Sequence, residues 1–192
     1  MHRLFHTEAF VLSLRPRGEG SAMVILYTRE LGLVPAWAQS MLTLQSKLRY
    51  HLQPFSHVRV SLVRGRDKWR VTGVVAAEES IRVSKITPRL QLVARVLGML
   101  SRLLQGEETD TDLFDQLRVG LAALADATAE STATIEIVLV LGLLHRLGYI
   151  PDDPVVSPLL VHSTYTEIPT LSVSTRARAV QLINQALRES HL

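Results

Sequence analysis

HVRVSLVRGRDKWRVTGVVA, residues 57–76, decides the fold of the first half of this chain. Val58, Val60 and Leu62 alternate with His57, Arg59 and Ser61. Side chains of a strand point to opposite faces in turn, so this segment reads as a strand with one buried and one wet face. RGRDK makes a tight turn, and WRVTGVVA (69–76) returns as the partner strand. A wet face excludes a parallel sheet covered on both sides and points to antiparallel pairing.

Outward from this hairpin the same period continues. EAFVLSL (8–14) is rich in β-formers and runs into the turn signal RPRGEGS. AMVILYT (22–28) follows, then a break at ELG, then LVPAWAQ. Pro35 lacks an N–H and belongs at an edge or a bulge. Short strands joined by turns over this length predict a small antiparallel barrel or sandwich.

Beyond Glu79 the period changes to that of helices. Thr87-Pro88 is a helix start, and Leu90, Val93, Leu97, Leu100 and Leu104 follow at steps of three and four, with Gly106 as the stop. Asp110 or Asp112 caps a second helix bearing Leu113, Leu117, Leu121 and Leu124. Thr132 or Thr134 precedes IEIVLVLGLLHRLG, apolar almost all round, which predicts a central helix ended by Gly148. IPDDPVVSP is an irregular link, and Ser174 caps a last amphipathic helix. The predicted class is α+β in two domains: strands over residues 1–79 and a helical bundle over 80–192.

Hydrophobic residues make up 47% of the chain and charged residues 20%, the balance of a folded domain. With no cysteine there is no disulfide, thiolate zinc site or cysteine nucleophile. MHRLFHTEAF has no apolar run of signal-peptide length, and the run from Ile137 to Leu144 is far short of a membrane span. The expectation is a cytoplasmic protein. No phosphate loop or His-Glu-x-x-His occurs. The acids Glu107, Glu108, Asp110, Asp112 and Asp115 lack calcium-loop spacing and read as a solvated turn with helix caps. No catalytic residue, metal or cofactor is expected.

Binding is what remains. Residues 1–79 carry 11 Lys or Arg against 6 Asp or Glu, while residues 80–192 carry 10 against 12. The cations fall in three turns: Arg15 and Arg17; Lys47 and Arg49; Arg64, Arg66 and Lys68. Cations at strand ends neutralise phosphates, and a ring such as Tyr50 stacks on bases. Trp69 reads as a core residue. Arg29, after the second strand, completes the candidate DNA-binding set.

The stretches EAFVLSLRPRGEGSAMVILYTRELG (8–32) and SKLRYHLQPFSHVRVSLVRGR (46–66) resemble the RecO family of bacterial recombination mediators. The resemblance rests on Gly18-Glu19, Tyr27-Thr28-Arg29-Glu30, Gly32, Leu52-Gln53-Pro54-Phe55 and, later, Leu147-Gly148-Tyr149-Ile150-Pro151. It implies a five-stranded OB-fold barrel followed by a helical domain that binds partners. It also implies binding of single- and double-stranded DNA and strand annealing. RecA loading with RecR and single-strand binding protein is implied too, at the nucleoid and without enzymatic turnover.

Two features depart from that family. Many members carry a four-cysteine zinc site after the Gly-Tyr-x-Pro segment, which this chain cannot form, so residues 151–173 must be held by packing. The loop AQSMLTLQSKLR is apolar at Met41 to Leu44 where the family carries cations. This favours a second reading, an OB-fold scaffold for a protein partner with weak DNA binding.

Overall fold

The computed structural model describes residues 3–66, 68–77, 87–160, 165 and 171–190. The chain divides into two compact units, one of residues 1–81 with 104–111, the other of residues 82–103 with 112–192.

The first unit is a closed barrel of five strands in the order β1-β2-β3-β5-β4, the OB-fold arrangement. The strands are β1 (Leu4–Arg17), β2 (Ser21–Thr28), β3 (Gly32–Ala38), β4 (His57–Arg64) and β5 (Trp69–Ala76). β1 is long because it serves two neighbours. Its first half pairs with β4 (Leu4↔Val63 to Phe10↔His57) and its second half with β2 (Ala9↔Thr28 to Arg17↔Ser21). A bulge between Val11 and Ser13 bends it from one pairing to the other. There the connector before β4 attaches: Phe55 N donates to Val11 O at 2.7 Å, and Val11 N to Ser56 O at 3.0 Å.

β3 and β5 close the barrel as a short parallel pair, Ala36↔Trp69 and Trp37↔Arg70. Pro35, just before that pair, faces Ile25 of β2 and lies where the other edge of β3 is open, so its missing N–H costs no ladder bond. Inside, Ala9, Val11, Val24, Leu26, Val34, Ala36, Val58, Val60 and Leu62 form the core. Met41 and Leu52 join it from either side of the one-turn helix α1 (Leu48–His51).

Two sequence expectations fail on this barrel. Met41 is buried, so the apolar loop is not exposed throughout, though Leu42 and Leu44 are left in solvent, Leu44 at 84%. His57 is also buried rather than wet, because register sets it beside Phe10, on which its ring stacks at 4.6 Å.

The segment 104–111 belongs to the barrel unit. Leu33 N, on the open edge of β3, donates to Gly106 O at 3.1 Å, and Thr109 Oγ1 donates to Glu30 O at 3.1 Å. A Cβ on Gly32 would lie 2.4 Å from Glu108 O, so the close approach requires glycine, and its φ of +66° requires it again. Glu107 and Glu108 are exposed, as in a solvated turn, but the segment is also tied to the barrel. Glu107 accepts from the indole of Trp69, and Asp112, at the start of the next helix, pairs with Arg146 at 2.8 Å.

The second unit holds α2 (Thr87–Leu103), α3 (Thr111–Asp126), α4 (Ala129–Arg146), the short α5 (Ser157–Leu160) and α6 (Val173–Glu189). α4 starts earlier than its apolar run suggests. Thr128 caps it, accepting from Ser131 N while the Ser131 hydroxyl accepts from Thr128 N, a reciprocal pair that lets a polar first turn precede the apolar stretch. The last helix is likewise capped by Ser172, not Ser174. α3 and α4 pack so closely that a Cβ on Gly120 would meet Leu139 at 2.3 Å. Asp153, nearly buried, receives Arg178 Nε at 2.9 Å and Nη2 at 2.7 Å, tying the irregular link to α6. Burial pushes the Tyr165 hydroxyl up to about 12 against a hydrogen bond with Gln116 that pulls the other way.

Candidate nucleic-acid interface

The register of the barrel generates one continuous outer row. Arg15 of β1 pairs with Met23 of β2, Met23 with Trp37 of β3, and Trp37 with Arg70 of β5. Paired residues project to the same side, and Ala22, Val24, Ala36, Ala38, Trp69 and Val71 on either side of them are buried. The row spans three interstrand steps, about 15 Å. Lys68, two positions before Arg70, shares its face and places Nζ 4.8 Å from the centre of the Trp37 ring. Arg17, opposite Ser21, continues the face toward the β1–β2 hairpin.

Arg15, Arg17, Lys68 and Arg70 are exposed. Among the described residues no carboxylate pairs with any of the four. Other barrel arginines are engaged: Arg59 lies 3.7 Å from Glu8, Arg29 lies 3.4 Å from Glu30, and Arg64 lies 3.4 Å from Glu107. The face thus presents cations with no carboxylate partner among the described residues around a partly exposed aromatic ring. Cations of this kind bind phosphates without reading sequence, and the ring offers a π surface to a base.

The structure brings together Arg15, Arg17 and Lys68 of the sequence-expected set. Arg29 sits at the far end of β2, six residues from Met23 and so about 20 Å along the strand. Lys47, Arg49 and Tyr50 lie on the loop and helix between β3 and β4, exposed but off the strand row. That loop is held to the β1–β2 hairpin by Leu42 N to Gly20 O at 2.8 Å. Arg66 is exposed in the β4–β5 turn, while Arg64 turns to Glu107 and lies over the Trp69 ring. Trp69 is the core residue the sequence suggests, at 4% exposure and edge-on to Phe5.

Trp37 and Arg70 were missed from sequence. The parity of LVPAWA sets Trp37 opposite to buried Val34, Ala36 and Ala38, which is a legible signal. The pairing of Trp37 with Arg70 was not legible, because it depends on barrel closure between strands far apart in the chain.

The helical unit carries a separate feature, a groove of about 640 Å³ between α2, α4 and α6. Its walls are apolar, with Met99, Ile137, Val140 and Ile183, and its rim carries Arg95 and Arg102. Arg95 bonds to Glu136 at 2.7 Å. Among the described residues no cluster of three metal-ligating side chains occurs, and no helix is long and apolar enough to cross a membrane.

Comparison with known proteins places both units in one family. Residues 1–79 match the family model described as Recombination protein O N terminal, and residues 89–152 match Recombination protein O C terminal. The chain is 29% identical over 150 residues to the DNA repair protein RecO of Heliobacterium modesticaldum, covering 78% of this chain and 54% of that one. It is 31% identical over 149 residues to the DNA repair protein RecO of Pelotomaculum thermopropionicum, covering 78% and 57%. The chain spans a little over half the length of these curated relatives.

Proposed function

The chain belongs to the RecO family, and from that premise we propose that it is a DNA-binding recombination and repair mediator that acts without chemical turnover. The observation that carries the reading is the row of cations around Trp37 on the outer face of the barrel, none of them paired with a carboxylate among the described residues. In this reading the face formed by Arg15, Arg17, Lys68 and Arg70 binds the strand. Arg66 adds a phosphate contact at the margin.

Annealing follows from the same chemistry. Two complementary strands repel through their phosphates, and a protein that neutralises both speeds their meeting without reading sequence. The strand face and the basic loop–helix segment with Lys47 and Arg49 are two separate cationic surfaces, one for each strand. RecR and single-strand binding protein are the partners through which such a protein helps load RecA at the nucleoid. The groove on the helical unit, apolar with two arginines at its rim, suits the tail of single-strand binding protein. The burial of Met41 weighs against a purely protein-binding barrel, since less of that loop is apolar surface than its sequence suggests.

The test is annealing of two labelled complementary oligonucleotides at low salt. Acceleration that needs no ATP, tolerates any sequence and is lost in a Arg15→Glu, Lys68→Glu, Arg70→Glu variant supports the proposal. A folded wild-type protein that neither binds nor anneals the strands, alone or with a RecR partner, refutes it.

A further inference from the structure

We propose that Trp37 is a base-stacking platform that makes the barrel face prefer single-stranded over double-stranded nucleic acid, with Lys68 covering the ring in the free protein. The inference rests on the DNA-binding reading above and deepens it from phosphate contact to choice of strand.

Trp37 lies on the outer face of β3, between buried Ala36 and Ala38, so its indole has no place in the barrel core. It is partly exposed, and cations stand around it. Arg70 is its direct pair on β5, Arg15 lies two strands away across Met23, and Lys68 Nζ stands 4.8 Å from the ring centre. A cation over an exposed indole gains about 0.5–1 kcal/mol. That is less than the roughly 1–3 kcal/mol of a stacked base. An unpaired base therefore displaces the ammonium from the ring, and the freed Lys68 is already beside the strand to take a phosphate.

Duplex DNA cannot make this exchange. Its bases are stacked on one another, and reaching a ring would require unstacking at a cost of a few kcal/mol. Duplex meets the cations of the face and nothing else. A single strand meets both cations and ring, and Trp37 supplies the difference.

The chain has two tryptophans, and Trp69 is buried with its indole nitrogen bonded to Glu107. Quenching of tryptophan emission by a bound strand therefore reports on Trp37. The experiment titrates wild type, Trp37→Phe and Trp37→Ala with an oligothymidine, with an abasic strand of equal length and with a duplex. In wild type the oligothymidine quenches emission and the abasic strand binds without quenching. Trp37→Ala weakens oligothymidine binding by at least about five-fold, while abasic and duplex binding stay as in wild type; Trp37→Phe restores most of the loss. Equal weakening of all three ligands by Trp37→Ala would mean that the ring only supports the face, and would overturn the stacking role while leaving DNA binding intact. No effect on any ligand would overturn it too. Wild type that binds none of the three would bring down the DNA-binding reading itself, and this inference with it.

Discussion

The indole nitrogen of Trp69 donates to Glu107 Oε1 at 3.0 Å, joining residues 38 apart in sequence. Trp69 stands at the start of β5, and Glu107 on the segment that lines the open edge of β3. The barrel is thus completed by residues that follow α2. Replacing Glu107 with Ala strands a nearly buried N–H, which costs about 1–3 kcal/mol. Glu107→Gln keeps an acceptor and most of the stability. The ion pair with Arg64 adds little, since both side chains are substantially exposed. Urea unfolding followed by tryptophan emission measures the difference, and an Ala variant as stable as wild type would remove the bond from the account.

Gly32 and Gly18 separate backbone strain from contact. Both have positive φ, +66° and +63°, so alanine at either pays about 1–2 kcal/mol for the left-handed conformation. At Gly18 nothing lies within 4 Å of the new Cβ, whereas at Gly32 the Glu108 carbonyl oxygen lies 2.4 Å away. Gly32→Ala is expected to cost roughly 1–3 kcal/mol more than Gly18→Ala. Equal thermal stabilities for the two variants would show that the segment 104–111 does not bind the barrel as described.

The barrel was legible in sequence because its signals are local. Alternation in HVRVSLV, the RGRDK turn and the parity of LVPAWA each follow from one strand's own residues. What escaped depends on pairing between distant segments. No local pattern says that Glu107 seals β5, that β5 runs parallel beside β3, or that His57 falls next to Phe10. The helix caps erred for a different reason. The apolar run in α4 begins at Ile135, but Thr128 and Ser131 satisfy the first turn's donors several residues before any side chain reaches the core. For the binding site, the turns gave Arg15, Arg17 and Lys68; the parity of its own strand could have found Trp37, while Arg70 beside it needed the register.

Asp153 and Arg178 hold the irregular link to α6 in a chain that has no cysteine for a metal there. The Arg178 hydrogen bond, against the opposing effect of burial, sets the Asp153 carboxyl below its ordinary value of 3.8; the hydrogen bonds from Val155 and Val156 N–H act in the same direction. A lowered folded pKa means stability fully present above 3.8 and lost as pH falls through the folded value. Asp153→Asn is therefore expected to destabilise the protein at neutral pH, and the gap from wild type should narrow below pH 3.8. Thermal unfolding of both proteins across that range checks this; a gap that stays constant into acid would exclude the ion pair as its source.

The salt dependence of single-strand binding tests the barrel face most directly. Each phosphate contact contributes about 0.7 to the slope of log K against log salt. If Arg15, Lys68 and Arg70 each hold a phosphate, the triple alanine variant should bind more weakly and show a slope smaller by about 2. A folded triple variant with wild-type affinity and an unchanged slope would contradict the account, because the strand would then lie elsewhere on the molecule.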